Sequence, residues 1–174
     1  MRKFIIAIAI ISTLQWLYCI KDKQLLTPQD KYFDPQNLQL LDLKNVNEFW
    51  LDDAIKDSSE YISTLFNEHP GFIKGIRYEG EIKSISVSIF QTQQMALNAM
   101  ELTINDVACL IQKDTSKSGS DLWWFSDCIP DMVFTNKWNT IIEVSWYHSN
   151  FEEIKETLYE TVIEIANRVD NSSD

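Results

Sequence analysis

The stretch Ile85-Ser86-Val87-Ser88-Ile89 decides the fold of this chain, because its apolar residues alternate with serines. Alternation with a period of two is typical of a strand that buries one face. Further along the chain the apolar residues recur at three- and four-residue steps, which indicates an amphipathic helix. That stripe consists of Ala96, Met100, Thr103, Val107 and Leu110. A strand and a helix that each bury one face require a shared core.

The composition favours a single globular domain. The chain has 174 residues, 45% of them apolar, with only four glycines and four prolines. A domain of about 150 residues buries roughly 70% of the surface of its unfolded chain. We therefore expect the protein to fold without needing a metal or a disulfide, and we predict no cofactor.

The net charge excludes one large class of partners. The formal charge is −11; Arg2 and Lys3 lie in a segment expected to be removed, which leaves −13. An acidic body of this kind repels phosphate backbones, so we predict that the protein does not bind nucleic acid. The negative charge keeps the protein soluble, or it forms an acidic face that binds a basic partner or cations.

Residues 1–20 have the pattern of a secretory signal peptide. A basic start is followed by the apolar residues 4–11 and 14–20, and then by the charged residues 21–23. Two alternatives remain open: a bacterial lipoprotein signal with Cys19 as the lipidated residue, and an uncleaved membrane anchor formed by residues 4–20. Each places the protein outside the cytoplasm, secreted or periplasmic, and only this segment would contact a membrane.

The remainder divides into a lead-in, a domain and a short tail. Residues 21–44 are polar, contain Pro28 and Pro35, and are predicted to form a tether. Residues 45–170 form the single domain, and residues 171–174 are a polar tail.

The periodicity of residues 45–170 predicts eight elements. A helix begins at a capping box formed by Asn45 and Glu48 and ends before His69. A hairpin over residues 72–90, a helix over about 92–112, a short strand at 122–125, a second hairpin over 132–147 and a helix after Asn150 complete the series.

This order, α-β-β-α-β-β-β-α, predicts an α+β fold. We expect an antiparallel sheet of about five strands with the helices packed on one face. In the last strand the more apolar set should point inward, with Trp146 in the core and Tyr147 outside.

Most catalytic signatures are absent from the chain. It has no Gly-rich phosphate loop, no Gly-x-Ser-x-Gly and no pair of histidines at metal-ligand spacing, so we assign no catalytic or metal-binding residue. The alternative is a small secreted hydrolase with a dispersed site around His148, which an acid such as Glu143 or Asp131 would assist.

Surplus aromatic residues are the strongest indication of a binding site. Trp123 and Trp124 are adjacent, so on a strand they point to opposite faces, and Trp138 lies in a predicted hairpin turn. With Tyr147 and His148 they form the predicted ligand-binding set, since exposed rings can stack on sugars or anchor a protein.

Two covalent features depend on export. If Cys19 leaves with the signal peptide, Cys109 and Cys128 remain and are predicted to form a disulfide bond. Asn171 begins an Asn-Ser-Ser tripeptide, which is the pattern of an N-glycosylation acceptor.

The leading hypothesis is therefore an exported, acidic, non-catalytic domain. It would bind a small molecule, a glycan or a protein partner through its aromatic-rich region. The alternatives are the hydrolase around His148 and a membrane-anchored subunit of an assembly.

Overall fold

The computed structural model describes residues 31–55, 57–59, 66–106, 110–114, 122–126, 131–148 and 150–172. Two short 3₁₀ helices, Pro35–Leu41 and Leu43–Asn45, precede the sheet. The strands are β1 (Asp57–Ser59), β2 (Phe72–Glu79), β3 (Lys83–Phe90), β4 (Leu110–Asp114), β5 (Leu122–Ser126), β6 (Asp131–Lys137) and β7 (Thr140–Trp146). The α-helices are α1 (Gln93–Asp106) and α2 (Phe151–Asn171).

The seven strands form one antiparallel sheet in the order β1-β2-β3-β7-β6-β5-β4. The predicted hairpins are its β2–β3 and β6–β7 pairs, and β3 joins them by pairing with β7. The fold class is α+β, as predicted. The predicted number of about five strands was too low, because the short edge strands β1 and β4 were read as parts of helices.

The helices cover opposite faces of the sheet, which corrects the prediction that they share one face. Helix α2 packs on the face that carries Ile85, Val87 and Val144, called here the α2 face. Helix α1 packs on the face that carries Phe134 and Ile141, called the α1 face. The alternating serines of β3 misled the prediction: they read as a solvated face, yet they are buried.

The segment before the sheet belongs to the core rather than to a tether. Phe33, Leu38, Leu41 and Leu43 are all buried in the cluster beneath α2. Burial of large apolar side chains stabilises a segment that its polar composition alone would leave loose. The predicted tether is therefore wrong for residues 31–44, while residues 21–30 lie outside the described ranges, as does the predicted signal peptide.

The predicted first helix does not form over residues 46–59. Residues 46–53 make a series of turns, and residues 57–59 form β1. Asn47 adopts a positive φ of 45°, which a right-handed helix excludes. Leu51, expected on the apolar stripe, is 73% exposed. Residues 60–65 lie outside the described part.

Helix α1 ends earlier than predicted. It covers Gln93–Asp106, and Leu110, expected on its apolar stripe, instead begins β4. Pairing of Leu110 with Ser126 supplies the hydrogen bonds of a sheet edge. Ala96, Met100 and Thr103 are buried, as the stripe predicted.

The final helix follows its prediction closely. Ile154, Leu158, Val162, Ile165 and Val169 are buried in the core beneath α2. Asn150 occupies the N-cap position, but its side chain does not cap the helix. It donates to Glu153 Oε1 instead, at 2.8 Å.

The C-terminal end of α2 extends into the predicted polar tail. Asn171 is the last residue of the helix, and the Ser172 hydroxyl donates to the Arg168 carbonyl at 2.7 Å. Asn171 is exposed, so the predicted glycosylation acceptor is accessible. Among the described residues, no helix is both long enough and apolar enough to cross a bilayer.

Candidate functional site

The predicted aromatic set does not converge in one place. Trp123 lies on the α1 face, where it packs against the cluster beneath α1. Trp124 pairs with Val133 on β6, and its side chain lies outside the described part.

Trp138 occupies the β6–β7 turn with a positive φ of 53°. Its ring is half-buried against the core beneath α2, and the ammonium groups of Lys31 and Lys137 lie 5.1 and 5.6 Å from its centroid. Neighbouring Asn139 is buried and bonds to both the N–H and the carbonyl of Phe33. The ring therefore helps to hold the N-terminal segment.

Tyr147 and His148 lie at the other end of β7. Tyr147 is 51% exposed, whereas Trp146 packs partly against the core, as predicted. The His148 ring is exposed and makes an edge contact with Trp146 at 5.8 Å between centroids. At this end of β7, His148 thus contacts Trp146, whose ring lines a cavity.

The cavity has a volume of about 540 Å³ and is called here the Lys83 cavity. It lies where the turns of residues 47–52, the start of β3, the end of β7 and the middle of α2 meet. Its walls are formed by Asn47, Glu48, Phe49, Leu51, Asp52, Lys83, Trp146, Thr157, Glu160 and Thr161. This volume is within the range of roughly 300–1,000 Å³ typical of small-molecule sites.

Lys83 is the unusual member of the wall, because its side chain is only 4% exposed. Its ammonium donates to the Phe49 carbonyl at 2.8 Å and lies 4.0 Å from the centroid of the Trp146 ring. Burial lowers the pKa of Lys83, and the nearby Asp52 and Asp53 oppose that shift without cancelling it. The cation is held inside the protein by a carbonyl and an aromatic face.

Asp53 fixes the turn that positions Lys83. Its carboxylate accepts hydrogen bonds from the backbone N–H groups of Glu81, Ile82 and Lys83, at 2.7, 3.1 and 3.0 Å. Burial works to raise the pKa of Asp53, but these three bonds and the Lys83 charge lower it below its usual value.

Gly80 is required beside this carboxylate. A Cβ added there would lie 2.3 Å from Asp53 Oδ2. Positive φ does not explain this glycine, because among the described glycines it occurs at Gly71 and not at Gly80. Residue 80 must be glycine because the side chain of any other residue would collide with the Asp53 carboxylate.

Trp146 contributes a second polar group. Its indole Nε1 is buried and has no hydrogen-bond acceptor among the described residues. A buried donor without an acceptor costs about 1–3 kcal/mol.

The α1 face contains its own buried charge. Glu143 is 3% exposed and stands directly opposite Ser86 on β3. Burial raises the pKa of Glu143, with Arg77 and Ser86 acting in the opposite direction. This carboxyl lies in the middle of the sheet, on the face opposite the Lys83 cavity.

A shallower groove of about 380 Å³ runs along α1. It is formed by Leu97, Met100, Glu101, Ile104, Asn105 and Trp123. The Lys113 ammonium lies 4.9 Å from the Trp123 ring centroid. The groove presents one aromatic edge but no buried charge.

His148 is not set up as a catalytic base. Its Nδ1 accepts from the Asn150 N–H at 3.1 Å, and among the described residues no carboxylate hydrogen-bonds to the ring. Glu143 points to the opposite face of β7, because successive side chains alternate. Within the described ranges, no group of three His, Cys, Asp or Glu residues is arranged to hold a metal.

Cys109 and Cys128, the predicted disulfide pair, lie outside the described residues. The described pairing of β4 with β5 has Leu110 opposite Ser126 at one end.

Lys83 and Asp53 were missed as site residues. For Lys83 a signal existed, since it shares its position in the strand alternation with Ile85 and Val87, and a lysine on the buried set is unusual. No sequence pattern marked Asp53 as a site residue, because its carboxylate binds a turn that lies far away in the sequence.

No known protein family matches the chain, and no curated protein is similar to it in sequence. Among solved structures, the crystal structure of a GTP-binding regulator from Thermotoga maritima is similar. The two chains share 11% sequence identity, and the match covers 85% of this chain and 100% of the other with a TM-score of 0.47. Similarity of this size is compatible with unrelated functions.

Proposed function

We propose that the protein is an exported, non-catalytic domain that binds a small ligand in the Lys83 cavity. One observation carries the proposal: a cavity of suitable size contains a buried lysine and an aromatic ring at the end of β7. Export rests on the pattern of residues 1–20, and the acidic composition fits a protein that must stay soluble outside the cell.

The cavity has the mixed walls expected of a specific site. Phe49 and Trp146 supply apolar surface, while Lys83, Asn47 and Thr157 supply donors. Small-molecule sites combine apolar walls with a few placed polar groups in this way. Of the predicted aromatic set, His148 contacts the cavity-lining ring of Trp146 and stays a candidate for ligand contact, whereas Tyr147 is not among the residues that line the cavity.

The other predicted rings fit this function less well. Trp138 has its ring against the core and two lysines, and Trp123 lies on the far face of the sheet. We therefore move the centre of the proposed site from the second-hairpin turn to the opposite end of β7. The hydrolase alternative lacks support, because His148 bonds to backbone rather than to an acid.

A blocked cavity provides the test. Thr157 is exposed on α2 and lines the cavity, whereas its neighbour Glu156 is exposed and does not. Thr157→Trp should fill the entrance, and Glu156→Trp adds the same ring outside it. Both variants and the wild type are screened against metabolites and glycans by thermal shift.

We expect compounds that raise the Tm of the wild type and of Glu156→Trp but not of Thr157→Trp. A bound ligand at 100 times its Kd stabilises a protein by about 2.7 kcal/mol, which is readily detected. Compounds that stabilise all three proteins equally would place the binding site elsewhere and overturn the proposal.

A further inference from the structure

We propose that Glu143 makes the α1 face sensitive to pH: α1 stays docked while the Glu143 carboxyl is protonated and is released when that carboxyl ionises. The inference concerns the face opposite the Lys83 cavity. It therefore goes beyond the proposed function and does not depend on it. The device consists of a buried carboxyl, the apolar cluster beside it and the helix that covers this cluster.

The Glu143 carboxyl lies where an ionised group is poorly accommodated. It belongs to β7, the central strand of the sheet, and its side chain is 3% exposed. Ser86 on β3 and Phe134 on β6 stand directly opposite it. Its Oε2 is buried and has no hydrogen-bond partner among the described residues. One hydroxyl and one aromatic ring replace the water around a carboxylate incompletely, so burial disfavours the charged form.

The neighbours of Glu143 are also the residues on which α1 rests. Phe134, directly opposite, and Ile141, two positions earlier on the same face of β7, belong to the cluster beneath α1. The helix contributes Ala96, Ala99 and Met100 to that cluster. Water that hydrates an ionised Glu143 has to enter beside these side chains. Ionisation is therefore coupled to the packing of α1.

The charged groups of this face do not keep Glu143 ionised. Arg77 on β2 stands opposite Ser86 and acts to lower the pKa of Glu143, but burial raises that pKa by more. The Arg77 guanidinium also pairs with Glu79, at 3.3 Å from Nη2 to Oε1. Among the described residues, the other titratable side chains of the elements on this face are Glu101 and Asp106 of α1, Lys113 of β4 and His69 before β2.

The direction of the pH effect follows from the raised pKa. When α1 opens and water reaches the carboxyl, the pKa of Glu143 returns toward its ordinary value of 4.5. Above pH 4.5 opening therefore releases one proton, and a rising pH favours the open state. One proton increases the open fraction about tenfold per pH unit until the pH reaches the raised pKa. Below pH 4.5 the carboxyl is protonated in both states and has no effect.

Hydrogen exchange of the full chain measures this open fraction. Protection factors of the α1 and α2 amides are compared from about pH 5 to about pH 8, after correction for the intrinsic exchange rate. Protection of α1 should fall about tenfold per pH unit at the start of this range, and α1 should stay less protected than α2. Equal protection of the two helices would show that the whole chain opens together and would overturn the release of α1.

Three variants assign the pH dependence to one side chain. Glu143→Gln keeps the shape of the side chain but cannot ionise, so protection of α1 should no longer change with pH. Glu101→Gln makes the same substitution at an exposed position of α1 and should keep the wild-type dependence. Because histidine side chains titrate in this pH range, His69→Gln is measured as well. A dependence that persists in Glu143→Gln and disappears in His69→Gln would refute the assignment.

A direct titration decides the matter even if Glu143→Gln fails to fold. The ¹³C resonance of the Glu143 carboxyl carbon is followed in the wild-type chain from about pH 3 to about pH 8. It should keep the position of a protonated carboxyl well above pH 4.5. A carboxyl that ionises at pH 4.5 or below would contradict the proposal.

Discussion

Asp53 should contribute strongly to stability, because one carboxylate accepts three backbone hydrogen bonds at the β2–β3 turn. The asparagine in Asp53→Asn cannot accept all three hydrogen bonds, because its NH₂ group is itself a donor and would face the backbone N–H groups. Hydrogen bonds to charged groups contribute roughly 1.5–3 kcal/mol each but are not additive, so we expect a loss of about 2–4 kcal/mol. For a domain of this size that lowers Tm by about 5–15 °C.

The effect should depend on pH in a defined direction. The pKa of Asp53 is lower in the folded chain than its usual value. Its contribution is therefore full at neutral pH and disappears as the pH falls below about 4 toward the folded pKa. The difference in unfolding free energy between wild type and Asp53→Asn should shrink from pH 7 to pH 3. A difference that stays constant from pH 7 to pH 3 would contradict the role assigned to the Asp53 carboxylate.

Gly80 provides an independent check by a double-mutant cycle in denaturant melts. Gly80→Ala places a Cβ 2.3 Å from Asp53 Oδ2 and should destabilise the wild type. In an Asp53→Ala background the obstructing carboxylate is gone, so Gly80→Ala should cost at least about 1 kcal/mol less. Fully additive effects would refute the role assigned to this carboxylate.

Three further predictions concern the rest of the fold. Leu158→Ala should cost roughly 2–5 kcal/mol in denaturant melts because it leaves a cavity under α2, whereas Glu156→Ala should change little; equal effects would contradict the docking of this helix. Asn139→Ala should cost about 2–4 kcal/mol, because its buried amide bonds to Phe33 and Phe90, and unchanged melting would contradict that role. Cys109 and Cys128 should be bonded in exported material, and recovery of both as free thiols by non-reducing mass spectrometry would exclude the disulfide.

Periodicity predicted the elements whose side-chain pattern is local. The two hairpins and α2 follow directly from alternation and from a helical stripe, and Leu158 is buried as that stripe requires. The same information could not reveal which face each helix covers. The serines of β3 read as a solvated face, and burial by other parts of the chain reversed that assignment.

Predictions failed where tertiary contacts override local preference. Residues 45–59 have a helical stripe, yet Asp53 bonds to a turn about thirty residues away and Asn47 takes a positive φ. Residues 31–44 look like a linker, yet Asn139 and the core hold them. The candidate site depends on the first of these contacts, because Asp53 binds the turn that carries Lys83. Composition could indicate surplus aromatics but not that Trp146 lies over Lys83.

A structure of the complex is the most direct test of the Lys83 cavity. The compound that most stabilises the wild type but not Thr157→Trp is co-crystallised with the protein. We predict density for the compound in the Lys83 cavity, in contact with cavity-lining residues such as Phe49, Trp146 and Thr157. Density in the groove beside Trp123, with the Lys83 cavity empty, would contradict the central claim.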